Sequence, residues 1–180
     1  MNEIPQHANS KKDVWQTPEW LYKGISERVG GIDLDPCAGP DTDIGKTNFY
    51  IGRGEDGLSR TWDYDTVFVN PPFSDKPSWL EKAVNEQIHY DTCFVVTPDN
   101  TDVQSWWHGY IAPRADYVWF PYGRVKYYDP VDGEIKGSPS FGSAVSVFGE
   151  IPQKLKAWFY AGDSDPDSEA DGGWIVENAY

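Results

Sequence analysis

Thr66 to Val69 in "DTVFVN" form an unbroken apolar and β-branched run, too short for a helix and closed by a turn signal, which predicts a buried strand. "TCFVVTPDN", "DYVWFP" and "SAVSVF" read the same way, and "GIDLDP", ending at Asp35-Pro36, and "KTNFYIG" are weaker strand candidates. Helical spacing separates several of them. "TPEWLYKGISERVG" has Thr17 as a candidate N-cap, Pro18 at the first helical position, Gly30 as a stop, and Trp20, Leu21 and Ile25 on one face. "SWLEKAVNEQIHY" places Trp79, Leu80, Ala83, Val84 and Ile88 on a broad stripe behind Ser78 as N-cap, and "TDVQSWWHGYIA" reads as a further helix. After Pro121 the pattern alternates and turns repeatedly, with "VDGE" as a hairpin signal. Strands alternating with helices, then a hairpin-like end, predict an α/β fold: a mostly parallel sheet with an antiparallel edge strand.

At 180 residues one domain is expected. The expected division is a flexible arm over 1–13, a folded domain over 14–160, and an acidic tail segment over 161–173 within the C-terminal region 161–180. That segment carries Asp163, Asp165, Asp167, Glu169 and Asp171 with no base, so it reads as solvated chain. Even with it set aside, a net charge of −14 leaves the remainder strongly acidic, which excludes broad electrostatic binding to a polyanion. Cys37 and Cys93 are too few and too far apart for a metal or disulfide framework and read as buried thiols, while His7, His89 and His108 lack ligand spacing, so no metal site is expected. No apolar run is long enough to span a bilayer, and the N-terminus lacks a secretory pattern, so a cytoplasmic location is expected.

In doubly wound sheets ligands bind beyond the carboxyl ends of the strands. Two such ends are unusual here: "LDPCAG" at 34–39 and "NPPF" at 70–73, where Pro and polar groups stand in place of a helix start. No phosphate-binding Gly-rich loop, serine elbow or His–Cys pair is present, and "IGRGEDG" is too weak a match. An amide oxygen and a main-chain carbonyl can together accept both hydrogens of an exocyclic amine. The prolines fix the backbone so that the acceptors converge, and an aromatic three positions on can stack on a base turned out of its helix. The alternative for "NPPF" is a strand stop with an Asx-type turn.

Together "WQTPEWL", "LDPCAG", "TNFY", "DGL" with Trp62, "VFVNPPF" and "GRVKYY" resemble the small phage-type DNA N6-adenine methyltransferases of the Dam-like family. The resemblance covers most of Trp15 to Phe148 and implies a Rossmann-like class I methyltransferase fold, S-adenosylmethionine as cofactor and double-stranded DNA as partner. It implies that Asn70 and the Pro71 carbonyl accept from adenine N6, that Pro72 stiffens the turn and that Phe73 stacks on the flipped ring. It places Asp35, Pro36, Ala38 and Gly39 at the methionine part of the cofactor, and Thr17 and Pro18 in the N-terminal cofactor segment. Asn48, read as the end of the second strand, falls to the ribose and Asp56 to the cofactor adenine. Phe120, Gly123, Arg124 and Lys126 correspond to the segment lining the target-base pocket, and Lys76 completes the DNA-binding candidates. Each has a plainer alternative: a cap for Asp35, a turn for Asp56, a solvated face for Arg124, Lys126 and Lys76, and core filling for Trp106 and Trp107.

Acidity and DNA binding can be reconciled in three ways: Arg53, Arg60, Lys76, Arg114, Arg124 and Lys126 gather on one face, the chain is adapted to high salt, or a homodimer assembles the groove. Two other functions fit the same residues. One is methyl transfer to RNA or protein amines. The other is an inactive cofactor-binding or DNA-mimicking protein.

Overall fold

The computed structural model describes residues 13, 15–40, 42–129, 133–135, 139–163 and 168–178. Most of the expected arm, part of the "VDGE" hairpin, and Asp165 and Asp167 lie outside the described residues. Seven strands form one sheet: β1 Leu34–Ala38, β2 Thr47–Tyr50, β3 Thr66–Val69, β4 Thr92–Pro98, β5 Tyr117–Pro121, β6 Ser143–Gly149 and β7 Gly173–Glu177, in the order β2-β1-β3-β4-β6-β5-β7. β2, β1, β3 and β4 run parallel, whereas β6 is antiparallel to both β4 and β5, and β7 is antiparallel to β5. The fold is the expected α/β, Rossmann-like sheet. Its antiparallel part extends beyond a single edge strand, because Ser143 to Phe148 are all buried and β6 therefore takes an interior place.

Alternation sorts the strand residues between two cores. Val67, Val69, Cys93 and Val95 face Trp62, Trp79, Leu80, Trp106 and Trp107 on one side. Phe68, Phe94 and Val96 face Leu21, Ile25, Leu155, Trp158 and Phe159 on the other. The first layer comprises α2 (Lys76–Asn85) and a stretch Gln104–Ile111 that winds as π-helix rather than the expected α-helix, ending in one α turn, α3 (Ala112–Arg114). The second comprises α1 (Glu19–Val29) and α4 (Gln153–Ala161). Gly24 lets these two helices approach, since a Cβ there would run into the Trp158 ring.

Several helix ends differ from expectation. Pro18, not Thr17, is the residue before α1, while Gly30 stops it as expected, in the left-handed region at φ 95°. Asp75 precedes α2, and Ser78 sits one turn inside, donating to Asp75 Oδ1 at 2.5 Å. That helix ends at Asn85, so Ile88 lies past the stripe and is 86% exposed. Asp163, expected in solvated chain, accepts from Arg28 Nη2 at 2.9 Å and Trp158 Nε1 at 2.8 Å. Burial opposes its ionisation, but the Ser168 and Trp158 hydrogen bonds and the Arg28 charge outweigh it and hold the carboxyl below its usual range. The acidic segment then leads into β7, which covers the β5 edge.

Among the described residues no helix is long and apolar enough to cross a membrane.

Candidate active site

Parallel pairing brings the carboxyl ends of β1 and β3 side by side, with Leu34 opposite Val67. The "DPC" and "NPPF" segments therefore meet: the Cys37 thiol donates to the Asn70 carbonyl at 3.2 Å, and the Cys37 N–H donates to Asp35 Oδ1 at 3.0 Å. β1 runs on through Pro36 and Cys37 to Ala38, further than the expected end at Asp35-Pro36. Burial raises the Asp35 carboxyl from its usual 3.8 to about 7, against the Cys37 hydrogen bond, which lowers it. No Lys or Arg forms an ion pair with it among the described residues. Burial likewise pushes the Cys37 thiol well up, so it stays a neutral donor.

Against this junction lies a strap, Trp15 to Thr17, of which the resemblance had placed Thr17 in the cofactor segment. Asn70 Nδ2 donates to the Trp15 carbonyl at 2.7 Å, which turns the other end of the amide inward. Asn70 Oδ1 is buried and has no hydrogen-bond partner among the described residues, and Thr17 Oγ1 is in the same state. Gln16 and Tyr128 exchange two backbone hydrogen bonds, at 3.0 and 3.1 Å, tying the strap to the segment that follows β5. Asp13 is buried, accepts from the Ser74 N–H at 2.7 Å and from the Ser74 hydroxyl, and its carbonyl accepts the Phe73 N–H at 3.2 Å. Trp15, Gln16 and Thr17 thus roof a small cavity whose wall carries Asp35, Cys37 and Asn70 and whose other side is Gly39, Thr42 and Ile44.

The motif's remaining residues are tightly held. Pro71 and Pro72 are buried, and Pro72 accepts the Asp75 N–H at 3.0 Å. Phe73 meets Tyr127 and Phe141 edge to face, with centroids 6.0 and 5.2 Å away. Lys76 turns inward instead of projecting toward a phosphate: its ammonium donates to the Phe73 carbonyl and lies 5.7 and 5.6 Å from the Phe73 and Trp106 centroids. Desolvation lowers its pKa, opposed by the charge of Asp13.

Two of the residues expected at the cofactor hydrogen-bond within their own loops. Asn48 is the second residue of β2, not its last; its Oδ1 accepts the Gly45 N–H at 3.0 Å and its Nδ2 donates to the Gly45 carbonyl at 2.7 Å. Both ends of that amide are committed to the loop. Asp56 is exposed and closes an Asx turn, accepting the Leu58 N–H at 3.0 Å. The tight residue there is Gly57, where a Cβ would collide with the Pro36 carbonyl; Trp62 Nε1 donates to the Gly57 carbonyl at 2.9 Å. The "DGL" loop is thereby seated on the end of β1.

The basic candidates do not all share one face. Arg53, just past β2, and Arg124 and Lys126, past β5, lie at the carboxyl rim of the sheet. Arg114 immediately precedes β5 and belongs to the opposite rim. Arg60 lies 4.6 Å from the centroid of the Phe49 ring.

A four-strand parallel half with an antiparallel strand inserted next to it is the arrangement of a Rossmann-like methyltransferase fold. The sequence profile of the family described as DNA N-6-adenine-methyltransferase (Dam) matches residues 5–155, and the chain belongs to that family. It is 23% identical over 127 residues to the DNA N-6-adenine-methyltransferase of Haemophilus phage HP1 (strain HP1c1), covering 69% of this chain and 72% of that protein. It is 25% identical over 109 residues to the DNA N-6-adenine-methyltransferase of Escherichia phage T1, covering 60% of this chain and 44% of that longer protein.

Proposed function

We propose that this chain transfers the methyl group of S-adenosylmethionine to the exocyclic N6 of an adenine in double-stranded DNA. The observation that carries this reading is the unpaired Asn70 Oδ1, an acceptor kept buried without a donor. Leaving such an atom unsatisfied costs about 1–3 kcal/mol, and a substrate donor would recover it. An exocyclic amine offers two hydrogens, one for Asn70 Oδ1 and one for the Pro71 carbonyl.

The residues at the cavity suit a cationic cofactor with hydroxyl and amine groups. Asp35 is a buried carboxyl lacking a basic partner, and Thr17 Oγ1 is a second unpaired atom on the same cavity. Asp35 and Thr17 would hold it, with Gly39 as a close backbone wall and Pro18, Pro36 and Ala38 adjoining these residues in the chain. S-adenosylmethionine, when bound, supplies a methyl group activated by a positively charged sulfur. The cavity itself takes only about 20 Å³ and is open to the surface, so most of the cofactor would lie outside it.

The chain's own part is positioning. Hydrogen bonds from N6 to Asn70 and Pro71 hold the direction of the nitrogen lone pair, and Phe73 bounds the ring. Asn70 is an amide and takes no proton, so the N6 proton leaves to water. Reaching adenine N6 requires the base to leave the helix.

Asn70→Ala is expected to abolish transfer of labelled methyl to duplex DNA while leaving cofactor binding within a few-fold. Assaying duplex DNA, single-stranded DNA, RNA and protein side by side identifies the acceptor. Full activity of Asn70→Ala, or transfer only to RNA or protein, overturns the proposal.

A further inference from the structure

A groove of about 310 Å³ opens beside the cavity on the same rim of the sheet. Its position follows from topology: Trp20 is in the first turn of α1, Tyr122 to Lys126 leave the end of β5, and Glu169 and Asp171 precede β7, whose first residue pairs with Pro121. Tyr122 N–H donates to the Gly172 carbonyl at 2.9 Å, joining the two walls.

Those walls are built alike. On one, buried Val125 separates exposed Arg124 and Lys126; on the other, buried Ala170 separates exposed Glu169 and Asp171. Each buried residue anchors its strip so that both charged neighbours are left for the groove. Arg124 Nη1 is pinned by the Pro139 carbonyl at 2.6 Å, leaving its other N–H groups available. No ion pair joins the acidic strip to the basic one among the described residues. Acids that served to mask the bases would pair with them. Two strips of opposite charge left unpaired across a groove, with Trp20 and Tyr122 at its side, suit one ligand carrying an anion, a donor amine and a flat ring. A nucleotide has all three, and the volume is at the small end of ligand pockets, about 300–1,000 Å³.

We propose that this groove holds a nucleotide flanking the target adenine, its phosphate on Arg124 and Lys126 and its base amine, cytosine N4 or adenine N6, on Glu169 or Asp171. This rests on the reading of the chain as a DNA methyltransferase and assigns where the flanking sequence is read. Segment 122–128 links the two places, since Tyr128 pairs with Gln16 beside Trp15, whose carbonyl holds Asn70. The acidic strip then contributes selectivity to a surface that repels DNA elsewhere.

The test uses the full chain and duplexes with randomised positions around one adenine, read both by binding selection and by methyl transfer. Glu169→Ala with Asp171→Ala is expected to relax the base preference at one or two flanking positions about tenfold. Arg124→Ala and Lys126→Ala should each weaken binding evenly over all sequences and lower the salt slope by about one. Unchanged flanking preference in the acidic double variant overturns the assignment, as does a uniform rise in binding, which would show that the acids merely repel DNA. Binding preferences that relax as expected in a chain that methylates no DNA would uphold the groove and defeat the methyl-transfer reading instead. Absence of duplex binding by the unaltered chain defeats the groove.

Discussion

Asn70 is specified as an amide by its neighbour. Its Nδ2 has a carbonyl acceptor at Trp15, and an aspartate in its place would set a carboxylate oxygen against that carbonyl. Asn70→Asp is therefore expected to lose about 1–3 kcal/mol of stability in urea unfolding, and methyl transfer with it, although it keeps an acceptor oxygen. Asp35 makes a second residue-level prediction. Its folded pKa is raised to about 7, above the usual 3.8, so the folded chain retains a proton that the unfolded chain releases. Stability contributed by that proton is full below about pH 4 and declines as pH rises toward 7. Asp35→Asn should flatten this part of the stability–pH profile, with its advantage over the native residue largest near neutral pH. Neither effect is written locally in the sequence: the partner of Asn70 lies 55 positions away, and the Asp35 shift comes from burial in the folded sheet.

Gly57 is one of the points at which elements meet closely. Its loop rests on the Pro36 carbonyl, a backbone atom that cannot step aside as a flexible side chain could. Gly57→Ala should cost about 1–3 kcal/mol, measured by denaturant unfolding, because the added methyl lifts the "DGL" loop and the Trp62 anchor from β1. The first six strands in the chain were readable in advance because buried apolar runs and their Pro or Gly stops are local signals, but β7, beyond the acidic segment, was not expected. Helix starts were less so: Thr17 and Ser78 have capping side chains, but Pro18 and Asp75 occupy the boundary positions. The interior place of β6 follows only from pairing, since a run buried on both faces does not state its neighbours.

Across the whole molecule the net charge is −14, and the basic side chains at the rim that remain directed outward are few. Duplex binding should accordingly show a shallow salt dependence. With Arg53, Arg124 and Lys126 as the contacts, log K against log salt is expected to slope about −3, at roughly −0.9 per phosphate. Fluorescence anisotropy between 50 and 300 mM salt measures this, and a slope steeper than about −6 would require a basic surface that these residues do not form.

Sequence alone supplied the motif from which the reacting group is proposed. Asn-Pro-Pro-Phe after a buried strand states which atoms can grip an amine, because proline rigidity and amide chemistry are properties of neighbouring residues. Tertiary structure decided which of the candidates meet. It brought Asp13 and Trp15 to the motif, set Cys37 against it, turned Lys76 inward, committed Asn48 to its own loop, and placed Glu169 and Asp171 at the rim. Apart from the local Lys76 and Asn48 contacts, these join residues far apart in the chain, and only the closing of the sheet and the packing of its two faces bring them together.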